Sequence, residues 1–373
     1  MRTWRISSLA IAALLAGCGG GQPWGDPERD SRLPVSVSAN ASGRVDGIVS
    51  MSGEFNESMR VVEVNEEELL VDDSVPFQVD FQRDLTFLMK GSTPPDAFRF
   101  YHVYSGEGAE PEFRPLVTAT DRAMHQGQES ILVTTPRGSY YFHKRGGGFA
   151  SVIDADNKDW VGYNPAEGSS GALRGIPNLI YPEGGLHPGA GACRSDLLTD
   201  GPLVARIHSS CHDGAWEAEW EFYPHYATLT VEKAAHPYWF LYEGTPGGEF
   251  NLDTGYWVSS DGARRPAGEK WEGRLDAPRW VYFGDASSPR VLMLAHHEDD
   301  GAYDQYYPMD GRMAVFGFGR QLGCCEMSLE QAPARFTIAF VESTGHAEVT
   351  AAVNSLLKNL IITRGRVERR AGG

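Results

Sequence analysis

Apolar and polar positions alternate along this chain in short runs, each closed by Gly, Pro, Asn, Asp or Ser. Period-two alternation between turn residues is the mark of a half-buried strand. Between residues 33 and 112 the pattern predicts strands at 45–51, 59–64, 77–79, 85–89 and 98–104, the last following the Ser92, Thr93, Pro94, Pro95 breaker. Further strands are expected at 130–135, 138–143, 148–153, 160–163, 203–208, 216–223, 227–232, 238–242, 280–283, 290–296, 312–317 and 335–341. Helical period occurs once, where Val349, Ala352, Val353, Leu356, Leu357 and Leu360 form one apolar stripe. The expected fold class is all-β: a small N-terminal β-sandwich, a very large antiparallel sandwich, and one C-terminal amphipathic helix.

The first residues add a location. MRTWRISSLAIAALLAGC combines two arginines, an apolar run and a small residue before Cys18, as a secretory leader does. Leu15, Ala16, Gly17 and Cys18 resemble the bacterial lipobox, which implies cleavage before Cys18 and acylation of that cysteine. The expected divisions are a signal peptide at 1–17, a flexible tether at 18–34, the small sandwich at 35–115, the large one at 116–342, and a helix with a solvated tail at 343–373. The folded body is then expected outside the cytoplasm, lipid-anchored to the cell envelope and touching the membrane through lipid alone. In that oxidising setting Cys193 and Cys211 are expected to form a disulfide, because the Asp200, Gly201, Pro202 turn brings their flanks together. Adjacent Cys324 and Cys325 lack the further cysteines of a structural zinc site.

Composition then excludes some functions. The 373 residues carry a formal charge of -17, which repels phosphate backbones, so no nucleic-acid partner is expected. The 43 Gly and 22 Pro favour turns over long helices. No dinucleotide fingerprint, P-loop, H-E-x-x-H or G-x-S-x-G element is present. No cofactor is therefore required by a motif.

Candidate chemistry gathers in a few places. The long loop 174–189, RGIPNLIYPEGGLHPG, holds Arg174, Asn178, Tyr181, Glu183 and His187 between residues that restrict the backbone. His125 and Gln126 precede a strand, where imidazole could exchange protons and amides could bind hydroxyls. His296, His297, Glu298, Asp299 and Asp300, with Tyr307 nearby, form the densest group of proton carriers and could give a ligand to a divalent cation such as calcium. Asp154, Asp156, Asn157 and Asp159 miss the EF-hand spacing and read as a turn. Trp239, Glu243, Trp257 and Trp271 occupy a region whose aromatic faces suit sugar rings.

VPFQVD at 75–80, FYHVY at 100–104 and GGGFASVIDADNKDWVGYNP at 146–165 resemble secreted or lipid-anchored bacterial proteins of polysaccharide breakdown. In these a small β domain precedes a galactose-mutarotase-like supersandwich. The resemblance implies a β-supersandwich over 116–342 and a polysaccharide or oligosaccharide as partner. It favours an enzyme, a polysaccharide lyase acting by β-elimination, with a glycoside hydrolase or a non-catalytic glycan-binding lipoprotein as alternatives. A lyase would neutralise the uronate with Arg174 or Asn178, abstract with His187 or His125, and protonate with Tyr181, Tyr226 or Tyr307. A hydrolase would draw its two carboxyl groups from Glu183, Glu243 and Glu298. Gln126, Asn178, Trp239, Glu243, Trp257, Trp271, His296 and Tyr307 would then line the groove.

Overall fold

A computed structural model describes residues 24–164, 175–179, 186, 191–321 and 326–370. Among these the protein is all-β, with several antiparallel sheets and one helix, His346–Leu357. That helix is too short to cross a membrane, and no other helix among the described residues is long and apolar enough to do so.

The first sheets build their own core. Ser31–Ser38, Phe98–Ser105, Arg60–Val64 and Leu70–Asp72 form one sheet, and Arg44–Met51, Leu85–Thr93 and Phe77–Val79 form a second. Val35, Val37, Val49, Phe87, Met89, Tyr101 and Val103 from the two sheets pack into one cluster. Each such side chain contributes about 1.5–3 kcal/mol by leaving water. The boundaries differ from expectation at both ends. Asp26 and Arg29 are buried, with the Arg29 guanidinium donating to Asp26 and to the carbonyls of Ser58 and Ala109, each at 2.7 Å. The fold therefore begins inside the expected tether. The expected solvated tail also pairs: Ile361–Arg364 and Glu368–Arg369 lie against Ser31–Ser38, with Val35 opposite Arg364 and Ser31 opposite Arg369. The β-branched Ile361, Ile362 and Thr363 suit a pleated edge, and the helix ends at Leu357 before them rather than reaching Leu360.

The larger core lies between two layers. One is a nine-stranded antiparallel sheet in the order Cys193–Asp200, Ala205–Cys211, Trp216–Phe222, Ala227–Lys233, Ala334–Val341, Val291–His296, Arg279–Asp285, Gly255–Ser259, Arg264–Pro266. Strict alternation in WEAEWEF points Trp216, Ala218, Trp220 and Phe222 inward and three glutamates outward. The facing layer contains two four-stranded sheets: Thr118–His125 through Gly148–Asp154, and Phe240–Gly244, Met313–Phe318, Asp304–Met309 and Trp271–Gly273. Two bridges join them, Phe149 with Ile176 and Gly175 with Glu243. The two-residue segment Gly175–Ile176 thus stitches both sheets into a continuous front layer, sealed by backbone hydrogen bonds of 2.6 and 3.1 Å.

Local chemistry explains several departures from the alternation pattern. Residues 160–163 are not a strand, because the Asp159 carboxylate accepts from the Val152 and Val161 amides and Trp160 turns into the core. The Asp154 segment is a turn as expected: its carboxylate accepts from the Asp156 and Lys158 amides, the Trp160 indole and Arg290. Cys193 and Cys211 are bonded and stand opposite each other across the hairpin that turns at Gly201 and Pro202. The helix packs Val349 and Val353 on Val291, Met293 and Tyr282, the outer side of the nine-stranded sheet.

Candidate functional site

The front layer presents its outer side to solvent, and alternation decides which residues stand there. Phe240 and Tyr242 enter the core, so Leu241 and Glu243 face outward. Gly244 follows because Trp160 passes so close that a Cβ would lie 2.2 Å from its carbonyl oxygen. On the neighbouring strands Tyr306 and Phe316 are inward, leaving Gln305, Tyr307 and Val315 on the same side as Glu243.

Glu243 is only 1% exposed and Asn178 is fully buried. The Asn178 amide donates to the Glu243 carboxylate at 3.2 Å. Beside them, Gln305 donates to Glu272 at 2.6 Å, and the Arg320 guanidinium lies 6.0 Å from the rings of both Trp239 and Tyr307. Lys270 reaches within 4.5 Å of the Tyr307 ring. A cleft of about 550 Å³ opens beside Arg320, lined by Lys270, Glu272, Gln305, Tyr307 and Arg320, while Glu243, Asn178 and Trp239 do not line it. The Asn178 carbonyl oxygen, the Trp239 indole N–H and the Gln305 carbonyl oxygen are buried without a hydrogen-bond partner among the described residues. Buried polar atoms are normally satisfied, so each of these marks a place where a polar group or water can complete the set, and that of Gln305 belongs to a residue of the cleft.

The other half of the front layer carries His125. Its Nε2 lies 2.7 Å from the Ser151 hydroxyl, and its ring stacks on Tyr141 at 4.0 Å. Burial lowers its pKa against the opposing pull of Asp159. Gln126 sits in the tight turn that follows, at φ 51°, exposed beside Gly127.

The remaining expected site residues divide clearly. Arg174, Tyr181, Glu183 and His187 lie outside the described residues, as do Cys18, Cys324 and Cys325. Asn178, Trp239, Glu243 and Tyr307 meet on or beside the front face. Trp271 borders the cleft and packs 5.4 Å from Trp257. Trp257 and His296, expected in the groove, are core residues instead. Trp257 is fully buried against Tyr306 at 5.1 Å. His296 lies between the layers, stacked on Phe336 at 4.5 Å, because alternation with Leu292 and Leu294 turns it inward. Glu298 is spent on the Arg335 amide and guanidinium, and Tyr226 packs on Tyr223 at 4.7 Å, near the helix-side cluster. Gln305, Lys270 and Arg320 escaped the sequence reading; for Gln305 the alternating outward positions of DQYYPM were the available signal.

The dense acidic group around His296 is an internal ion cluster. Arg279 pairs with both Asp300 and Asp304, and the Gly319 amide donates to Asp304 at 3.2 Å. His296 lies 3.7 Å from Asp300 and 3.5 Å from Glu298. Burial drives its pKa down to about 3 despite Asp300. Burial also lifts the Asp304 carboxyl to about 7 against the pull of Arg279.

A group able to hold a divalent cation stands elsewhere, on the outer side of the nine-stranded sheet. His208, Glu217 and Glu232 place one ligand atom each within 4.8 Å of one another. The His208 Nε2 is 3.5 Å from the Glu232 carboxylate. Calcium takes oxygen ligands, whereas a mixed imidazole and carboxylate set suits zinc or manganese.

No family model matches this chain, and no curated protein matches it. Among solved structures, one titled "Crystal Structure Analysis of HI1317" aligns at 12% identity over 60% of this chain and 99% of its own, with a TM-score of 0.42. A likeness that remote adds nothing to the reading of the site.

Proposed function

We propose that this is a carbohydrate-active protein, lipid-anchored in the envelope through Cys18, that binds a glycan across the front face and cleaves it by β-elimination. The observation behind the reading is the buried Glu243 held by Asn178, next to two aromatic rings bracketing Arg320 and three unpartnered polar atoms. Aromatic rings receive the apolar faces of sugars, and orphaned amide and indole groups receive hydroxyls. In the proposed step Arg320 offsets the uronate carboxylate and Glu243 takes the C5 proton. The electron pair forms the C4–C5 double bond as the C4–O4 bond breaks, and the Tyr307 phenol protonates the leaving oxygen. The architecture is read as a small sandwich followed by a supersandwich, consistent with the two separate cores.

One observation favours a second reading, hydrolysis: Glu243 and Glu272 offer two carboxylates on one face. A panel of anionic and neutral glycans separates the two. Elimination yields an unsaturated product that absorbs in the ultraviolet along with each new reducing end, and hydrolysis yields reducing ends without that absorbance. Failure of every glycan to bind or be cut would overturn both.

A further inference from the structure

A second cavity, which shares no lining residue with the cleft beside Arg320, is walled by the start of Arg44–Met51, the end of Leu85–Thr93, the helix and Ala334–Val341. Its volume is about 460 Å³, inside the range of roughly 300–1,000 Å³ typical of small-ligand sites. One wall is apolar, formed by Val341, Ala352, Leu356 and Pro95.

The other wall holds a cation with no counter-charge. The Arg44 guanidinium donates to the Lys358 carbonyl, and its Nε is buried without a partner. No carboxylate among the described residues pairs with it. Asp46 is taken by His225 at 3.2 Å and by the Gly91 amide at 2.7 Å. Glu342 is taken by Arg290 at 3.0 Å and lies 3.6 Å from Arg137. Glu348, in the first turn of the helix, makes no ion pair with Arg44. Burial accordingly lowers the Arg44 pKa, with the Tyr226 phenol as the opposing influence. Two hydroxyls of the same wall, Thr93 Oγ1 and Ser42 Oγ, are also buried without partners, and Thr93 is only 2% exposed. The Arg44 side chain is half-buried, and an unpaired cation beside two idle buried hydroxyls is a ready partner for an anion.

We propose that this cavity binds a fatty carboxylate, its head on Arg44, Thr93 and Ser42 and its chain along Leu356, Ala352 and Val341. The charge selects an anion, and the facing apolar wall requires that the anion carry a hydrocarbon body. This proposal is independent of any glycan chemistry at Glu243.

Calorimetric titration of the delipidated full chain tests it with decanoate, decyl phosphate and decanol as probes. Decanoate is expected to bind saturably, with decanol weaker by about 10- to 100-fold, the worth of a charge-assisted contact. Arg44→Met should weaken decanoate by a similar factor and leave decanol unchanged, while melting no lower than the parent because it removes an unpaired charge. Ala352→Phe, which fills the apolar end, should abolish binding of decanoate and keeps the test decisive if the Arg44 variant does not fold. Equal affinities for decanoate and decanol, no saturable decanoate binding, or unchanged binding in Ala352→Phe would overturn the proposal. Preference for decyl phosphate by 10-fold or more would overturn the carboxylate assignment in favour of a phosphate ester.

Discussion

Two regions of this molecule bury ionisable side chains, and they differ in what those side chains lie beside. Around Arg279 the charges are paired between the layers: Asp300 and Asp304 flank the guanidinium, Gly319 donates to Asp304, and His296 is stacked in aromatic side chains, although Arg279 Nε, His296 Nδ1 and one Asp304 oxygen keep no hydrogen-bond partner among the described residues. Around Glu243, the residues Asn178, Trp239 and Gln305 each keep an atom unpartnered among the described residues, and Gln305 lines an outward cleft. In sequence the first region looks richer, since His296 to Asp300 is the densest run of proton carriers. Its density reflects charge pairing among buried side chains, which serves the scaffold. Unpartnered atoms occur in both regions, so it is their place beside an open cleft that points to a ligand.

The sharpest way to break this comparison is Glu243→Gln. Turnover on a confirmed glycan should fall by about 100- to 10,000-fold, with the thermal midpoint little changed, because the amide still pairs with Asn178. A steady-state assay alongside a melting curve decides it. Retained turnover would reduce Glu243 to a structural carboxylate like Asp304.

Arg279→Met probes the other side. It leaves Asp304 buried without its cation, so stability should drop by about 3–5 kcal/mol in denaturant titration while activity per folded molecule stays unchanged. Replacing Cys193 and Cys211 together by serine should cost about 2–4 kcal/mol by releasing the hairpin at the edge of the nine-stranded sheet. Activity per folded molecule should again survive, which urea unfolding and the same assay report.

Acid should act on the scaffold through its buried histidines. Burial and Arg32 hold His102 at about 4 from its ordinary 6.5, and burial holds His296 at about 3. A histidine depressed in the folded state is protonated first in the unfolded chain. Its contribution is therefore whole above about pH 6.5 and is lost as pH falls toward 4. At about pH 5 each group should have given up roughly 2 kcal/mol, measurable as a falling midpoint in denaturant titrations between pH 7 and 5, and His102→Phe should flatten the curve. The smallest effect on binding is expected from Trp239→Phe, which keeps a ring beside Arg320 but removes the orphan N–H and part of a buried indole. Glycan affinity should weaken by about 2- to 10-fold, and the cavity left should lower stability by about 1–3 kcal/mol in a melting curve.

Much of the scaffold was legible in the chain because strand formation is a local, period-two property. WEAEWEF, VLMLAH and ARFTIAFV each announce a strand, and the Asp200–Pro202 turn announces the pairing of Cys193 with Cys211. Strands at Leu70–Asp72, Gly255–Ser259 and Asp304–Met309 stayed hidden because they are short or interrupted, and their extension depends on a neighbour supplying hydrogen bonds. The tail strand Ile361–Arg364 likewise exists because Ser31–Ser38, over 300 residues earlier, offers an edge.

By itself, then, the order of residues determined the all-β class, the single helix, the cysteine pair and the periodicity that turns tryptophans inward and glutamates outward. Tertiary structure alone decided which outward residues share a face. Gly175 and Ile176 join two sheets through one bridge on each side, and that junction sets Asn178 against Glu243 across 65 positions of chain. No local signal encodes such a meeting, because its stability comes from pairing segments distant in sequence, where loop closure is repaid by contacts that exist only once both layers are assembled.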